Sequence, residues 1–179
     1  MYMIDCFTKL PISSTINDDL MNVCDNGTPW IDPKIGTFYQ KHPSRDLIYG
    51  DSFLKFVCDQ YLNYDFGTSV NIFMLRPWSH YHLHTDKYRP SSINLLLNTD
   101  ADSISYFQVS DFQKLQCSIL ELNYEPKHYY LFNSQVPHAV LNKDKERYIL
   151  SISLKHDYAT MKRLLTDHIF LYSSGNTLI

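Results

Sequence analysis

Glycine is scarce in this chain, with 5 among 179 residues, and no segment is dominated by one or two residue types. That excludes a collagen-like or low-complexity chain and argues against extended disorder. No lysine or arginine run stands out and the formal net charge is −3, so a large nucleic-acid footprint is not expected. The apolar runs are far too short to span a bilayer, so no membrane segment is expected. The first residues, "MYMIDCFTKLPISS", lack a basic head followed by an apolar core and do not read as a signal peptide. The four cysteines (Cys6, Cys24, Cys58, Cys117) form no C-x-x-C pair, which points to free or buried thiols in a reducing compartment. Together these absences describe a soluble, cytoplasmic protein.

What is abundant is aromatic: 14 tyrosines and 10 phenylalanines, in a chain long enough for one compact domain spanning 1–179. Two helical stretches come early. "STINDDLMNVC" puts Ile16, Leu20, Val23 and Cys24 on one face, with Ser14 or Thr15 as cap. "DSFLKFVCDQYLN" does the same with Leu54, Val57, Cys58, Tyr61 and Leu62, with Asp51 as cap. Between them, residues 25–50 read as loop. From residue 68 the texture changes to eight short β-rich segments: 68–76, 80–86, 92–98, 103–109, 117–123, 128–133, 137–142 and 147–154. A closing helix runs from about Tyr158 to Leu171. Helices, then strands, then one helix is an α+β, mainly β layout. Eight strands with no helix between them suit a double-stranded β-helix, a jelly-roll or cupin-like core over about 68–155.

The chemistry concentrates in "SHYHLHTDKYRP". On an extended strand residues i and i+2 share a face, so His84 and Asp86 can aim at one point. His80 and His82 share that parity, and alternation alone does not choose among the three histidines. A third candidate is His138, in "YYLFNSQVPHAVLN". Two imidazoles and a carboxylate make the facial triad that binds non-haem iron(II) and leaves positions open. Arg147 follows nine residues later and can clamp a carboxylate through a forked pair of hydrogen bonds, while Ser151 and Ser153 share its strand parity.

"YHLHTD", "LFNSQVPHAV" and "ERYILSIS", in this order and spacing, resemble the iron(II)/2-oxoglutarate-dependent dioxygenase superfamily. Tyr81, three residues before His84, gives the Y-x-x-H-x-D of its prolyl-hydroxylase-like branch. The resemblance implies Fe(II) held by His84, Asp86 and His138, which form the catalytic centre. It implies 2-oxoglutarate held by Arg147, with Tyr81, Ser151 and Asn94 as further contacts, and molecular oxygen as co-reactant. Many relatives have Ser or Thr two residues after the arginine, where this chain has Ile149, which leaves the identity of the hydroxyl partner open. The carboxylate at Asp86 implies hydroxylation rather than halogenation. Ser153 stands where the DNA-repair members carry a second arginine, which disfavours nucleic acid as substrate. The expected substrate is a small molecule or peptide, hydroxylated on an amino-acid or peptidyl side chain with release of succinate and carbon dioxide. Trp30, Tyr39 and Arg89 are candidate substrate contacts, with a solvated turn as the equal alternative for Arg89. The competing readings are a non-catalytic cupin-like binding module built on His82-Leu83-His84, which lacks the glutamate such modules place after it, and a β-barrel without metal.

Overall fold

The structure is a computed structural model that describes residues 5–26, 29–31, 38–98, 103–111 and 116–173. Part of the stretch read as loop (27–28 and 32–37) lies outside the described residues. The chain runs β1 (Phe7–Ser13), α1 (Asn17–Asp25), β2 (Phe38–Lys41), α2 (Arg45–Tyr49), α3 (Ser52–Tyr61), α4 (Phe66–Ser69), then β3 (Val70–Leu75) and β4 (His80–His84). It continues with β5 (Ser91–Leu96), β6 (Ser103–Asp111), β7 (Gln116–Leu122), β8 (His128–Phe132), β9 (His138–Asn142), β10 (Arg147–Leu154) and α5 (Tyr158–Ser173).

The strands form two antiparallel sheets, one of six strands in the order β1-β8-β5-β10-β3-β2 and one of four in the order β4-β9-β6-β7. This is the double-stranded β-helix expected from the strand spacing, and β3–β10 correspond to the eight predicted segments. The expectation of pure loop over residues 25–50 needs correction, because β2 and α2 lie there, and β1 precedes the first helix. Both added strands sit at the outer edges of the six-stranded sheet. Edge strands tolerate brevity and proline, and β1 carries Pro11, so neither has the alternating signature of an interior strand.

The six-stranded sheet is buried on both faces, and β10 contains no exposed residue. The two faces nonetheless differ. Tyr148, Leu150, Ile152 and Leu154 join the main core with Leu20 of α1, Leu54 and Val57 of α3, and Met161 and Leu165 of α5. Their sequence alternates with Arg147, Ile149, Ser151 and Ser153, and the first three of these line a cavity between the sheets. A smaller cluster, including Phe107, Leu122, Tyr130 and Phe132, fills another part of the space between the sheets.

Asp51 caps α3 as expected, accepting a hydrogen bond from the Leu54 N–H (3.0 Å). The expected cap of α1 is not formed. Its N-cap is Ile16, with no side-chain cap bond, because the Thr15 N–H and hydroxyl both donate to Asp51 instead (3.0 and 3.1 Å). The Tyr129 hydroxyl donates to the same carboxylate (2.8 Å), so the buried Asp51 ties α1, α3 and β8 together. A buried charge costs several kcal/mol unless it is hydrogen-bonded this fully. Among the described residues no cysteine is in a disulfide. Among the described residues no helix is long and apolar enough to cross a membrane.

Candidate metal centre and active site

A one-residue bulge decides which histidines face the cavity. In the β4–β9 ladder His80 pairs with Leu141 and Tyr81 with Val140, but His84 pairs with His138, so the register slips by one between Tyr81 and His84. Strand parity therefore flips within "HYHLH". His82 and Leu83 are both exposed, and Tyr81 and His84 come to share the inner face. The shared parity of His80, His82 and His84 expected from alternation is corrected by this bulge. His80 and His82 point outward as an edge-to-face ring pair. The Tyr81 ring lies 4.1 Å from that of His84.

One donor atom each from His84, Asp86 and His138 lies within 4.8 Å of the others. The Nδ1 of His84 bonds the His82 carbonyl (2.7 Å) and the Nδ1 of His138 bonds the Val136 carbonyl (2.9 Å). A carbonyl only accepts, so in each neutral ring the proton sits on Nδ1 and the Nε2 lone pair is free. The buried His84 Nε2 has no hydrogen-bond partner among the described residues and lies 3.4 Å from Asp86 Oδ1. A free lone pair, a carboxylate and a second imidazole converging in a dry place repel one another unless a proton or a cation sits between them. The donor set and the carbonyl-anchored imidazoles fit a divalent metal such as iron(II).

The electrostatics agree. Burial pushes His138 down to about 4, so its ring is neutral and available as a ligand near neutral pH. Burial alone would raise Asp86, but His84 and the Arg89 guanidinium outweigh it and hold the carboxyl well below the usual range. His84 is raised: burial works against the charge, and the Asp86 carboxylate and His82 carbonyl overcome it.

Arg147, at the start of β10, is 2 % exposed. Its guanidinium donates to Ser105 Oγ (2.9 Å) and lies 5.5 Å from the Tyr124 ring. Its Nε has no hydrogen-bond partner, and no described carboxylate pairs with it. A surface ion pair with Glu146 or Asp144 is therefore excluded. Burial lowers its pKa, yet a guanidinium stays charged in proteins, and a buried cation without a counter-charge is costly. The site asks for an anion. Ser105 pairs with Val140 and Phe107 with His138 along β6–β9, so the guanidinium's partner is two residues, roughly 7 Å, along the ladder from a candidate metal ligand. Both ends open into one cavity of about 270 Å³.

Tyr81, Ser151 and Asn94, the remaining expected cosubstrate contacts, also line this cavity. The Ser151 hydroxyl donates to Asn94 Oδ1 (2.7 Å) across the β10–β5 ladder and accepts from Arg89 (2.9 Å). The hydroxyl bonded to Arg147 is Ser105, not Ser151 or Ser153. Ile149 lines the cavity where a hydroxyl was expected in relatives. Trp30 stacks on Tyr148 and Tyr39 packs against the main core, so neither lines the cavity. Arg89 is not a solvated turn residue: its Nε and a terminal nitrogen both donate to Asp86 Oδ2 (2.9 and 2.6 Å). Gln135 secures that loop, donating from Nε2 to the carbonyls of Asp86 (2.8 Å) and Arg89 (3.0 Å). Ser105, Tyr124 and Gln135 carry no sequence signal of their own. Only the pairing of β6 with β9, and of the 86–89 loop with the 133–136 turn, brings them here.

No family model and no curated protein matches the sequence. Solved structures do match the fold. A prolyl-4-hydroxylase from Pseudomonas putida superposes with a TM-score of 0.58 at 13% identity, covering 86% of this chain and 94% of that one. The chain has the double-stranded β-helix fold of the 2-oxoglutarate oxygenases. A Trichoplax adhaerens prolyl hydroxylase, solved with a hypoxia-inducible-factor peptide fragment, matches at TM-score 0.58 and 13% identity over 90% of this chain and 87% of that one. HygX from Streptomyces hygroscopicus, solved with nickel and 2-oxoglutarate, matches at 0.55 and 12% over 81% and 80%.

Proposed function

We propose that the protein is an iron(II)/2-oxoglutarate-dependent dioxygenase that hydroxylates an amino-acid or peptidyl side chain, releasing succinate and carbon dioxide. The observation that carries this reading is the pairing, in one cavity, of a converging His84–Asp86–His138 donor set with a buried Arg147 that lacks a carboxylate partner. His84, Asp86 and His138 would hold the metal, which when bound with 2-oxoglutarate and oxygen supplies the oxidising chemistry.

The chain's own residues then have definable tasks. The carbonyls of His82 and Val136 fix both imidazoles with Nε2 toward the metal position. Arg89 holds Asp86 Oδ2 and leaves Oδ1 to ligate. Arg147, steadied by Ser105 and Tyr124, would receive the far carboxylate of 2-oxoglutarate. Tyr81, Ser151 and Asn94 line the space between and would orient the cosubstrate. Phe132, Val140 and Ile149 keep that space apolar and dry. The retained carboxylate at Asp86 supports hydroxylation, and the peptide held by the Trichoplax neighbour supports a peptide among the candidate substrates. A cupin-like module would need His82 and His84 on one face, and the bulge counts against it.

The test is an anaerobic titration of the purified protein with iron(II) and 2-oxoglutarate. A weak visible charge-transfer band is expected, lost in His138→Ala, with succinate formed on admitting air. No band and no succinate would sink the dioxygenase reading. Unchanged 2-oxoglutarate affinity in Arg147→Ala would remove Arg147 from its role.

A further inference from the structure

A second, open groove adjoins the metal cavity, and Phe73, Asp86 and Arg89 belong to the walls of both. Its lining mixes polar side chains with the rings of Tyr64, Phe73 and Tyr88. Gln40 donates to Asn71, and Asn71 donates to the Thr68 carbonyl, so those amides are already engaged. The Ser153 hydroxyl accepts from Asn63. The charges on the wall are Lys87, Arg89 and Asp86, and the one carboxylate, Asp86, is already paired with Arg89. Among the described residues no carboxylate pairs with Lys87, whose ammonium lies 5.1 Å from the Tyr88 ring.

Arg89 stands at the junction of the two spaces. Asp86 and Ser151 occupy three of its N–H donors and hold the guanidinium in one orientation. A guanidinium has five donors, so two remain, one on each terminal nitrogen. A pre-oriented guanidinium with free terminal donors is suited to a carboxylate, which it recognises through charge-assisted hydrogen bonds.

We propose that this groove is the substrate site and that Arg89 anchors a carboxylate of the substrate beside the metal centre, with Lys87 adding to the positive field. The inference rests on the oxygenase reading and deepens it by naming the substrate class: an amino acid or peptide bearing an acidic group close to the oxidised carbon. The carboxylate belongs either to a free amino acid or to an acidic residue of a peptide.

The experiment is calorimetric titration, without oxygen, of protein loaded with manganese(II) and 2-oxoglutarate. Binding of 2-oxoglutarate itself is measured first, and its absence overturns the oxygenase reading. With that binding in hand, two probe sets follow. One is the free L-amino acids against their carboxamides. The other is N-acetylated, C-amidated pentapeptides with proline flanked by glutamate against the same peptides with glutamine. In at least one set the carboxylate form should bind roughly ten- to hundredfold tighter, the loss expected when a charged hydrogen-bonding partner is removed. The set that shows the preference identifies the source. Arg89→Gln should abolish the preference and Arg89→Lys should restore part of it. Equal binding of carboxylate and amide in both sets by the wild type, no binding of any probe, or a preference that survives in Arg89→Gln overturns the inference while leaving the oxygenase reading standing.

Discussion

The six-stranded sheet and the four-stranded sheet are built from the same kinds of segments, yet they do different work. The first is covered on both sides, by helices outside and by the second sheet inside, and its central strands β5 and β10 expose nothing. The second is open on its outer face, where Leu83, Ile119 and Leu141 are exposed, and its strand β4 is half solvent-facing. All three candidate metal ligands lie on, or just beyond, strands of the open sheet, and Arg147 comes from the covered one. The difference shows a division of labour. The covered sheet and its helices supply most of the buried apolar area, about 25 cal/mol for each Å². That leaves the open sheet free to carry a bulge and a partly buried cluster of imidazoles and carboxylate, features that cost stability rather than add to it.

The comparison breaks first at the bulge. His84→Ala removes the imidazole that the slip in register turns into the cavity, and leaves the backbone of β4 in place. Metal binding, followed by manganese(II) titration, should fall on the order of a thousandfold, because one of the three candidate ligands is lost, while the urea midpoint moves little. A large drop in midpoint with intact metal binding would contradict the division. In the covered sheet the opposite holds. Leu150→Ala, at a fully buried position, should cost roughly 2–5 kcal/mol by chemical denaturation.

A pH series on the metal-free protein sharpens the comparison. His138 is lowered from 6.5 to about 4, so between those values the unfolded chain binds a proton that the folded one does not. Stability is therefore fully present above pH 6.5 and declines as the pH falls toward 4, on the order of 1 kcal/mol per unit. Asp86, also lowered, adds loss in the same direction at lower pH, and the raised His84 opposes both. His138→Asn should flatten the slope. Gln135→Ala, which removes the two bonds from the 133–136 turn to the 86–89 loop, should cost about 1 kcal/mol and loosen metal binding. The smallest effect belongs to Leu141→Ala on the open face, where the residue is 44% exposed and a change within about 0.5 kcal/mol is expected.

Much of this was legible in the chain. Eight of the ten strands follow from β-rich runs between turn signals, and the Asp51 cap follows from its place before an apolar periodic segment. His84, Asp86, His138 and Arg147 stood out by type and order, and the structure gathers them around one cavity. The edge strands escaped because an edge needs no alternation. The cap of α1 was misplaced because a carboxylate 36 residues away competes for Thr15. Ser105 and Arg147 are 42 residues apart, and Arg89 and Ser151 are 62, separations that no local pattern encodes.

By itself, the sequence determined the alternation of β10, with Tyr148, Leu150, Ile152 and Leu154 for the core and Arg147, Ile149, Ser151 and Ser153 for the opposite face. It also determined which side chains could ligate and clamp. Only the tertiary structure decided which histidine faces inward, which hydroxyl meets Arg147, and that Arg89 turns back onto Asp86. The physical reason is the same in each case. Side-chain type and strand period are properties of neighbouring residues, whereas a one-residue slip in register and a hydrogen bond across two sheets exist only once distant strands have paired.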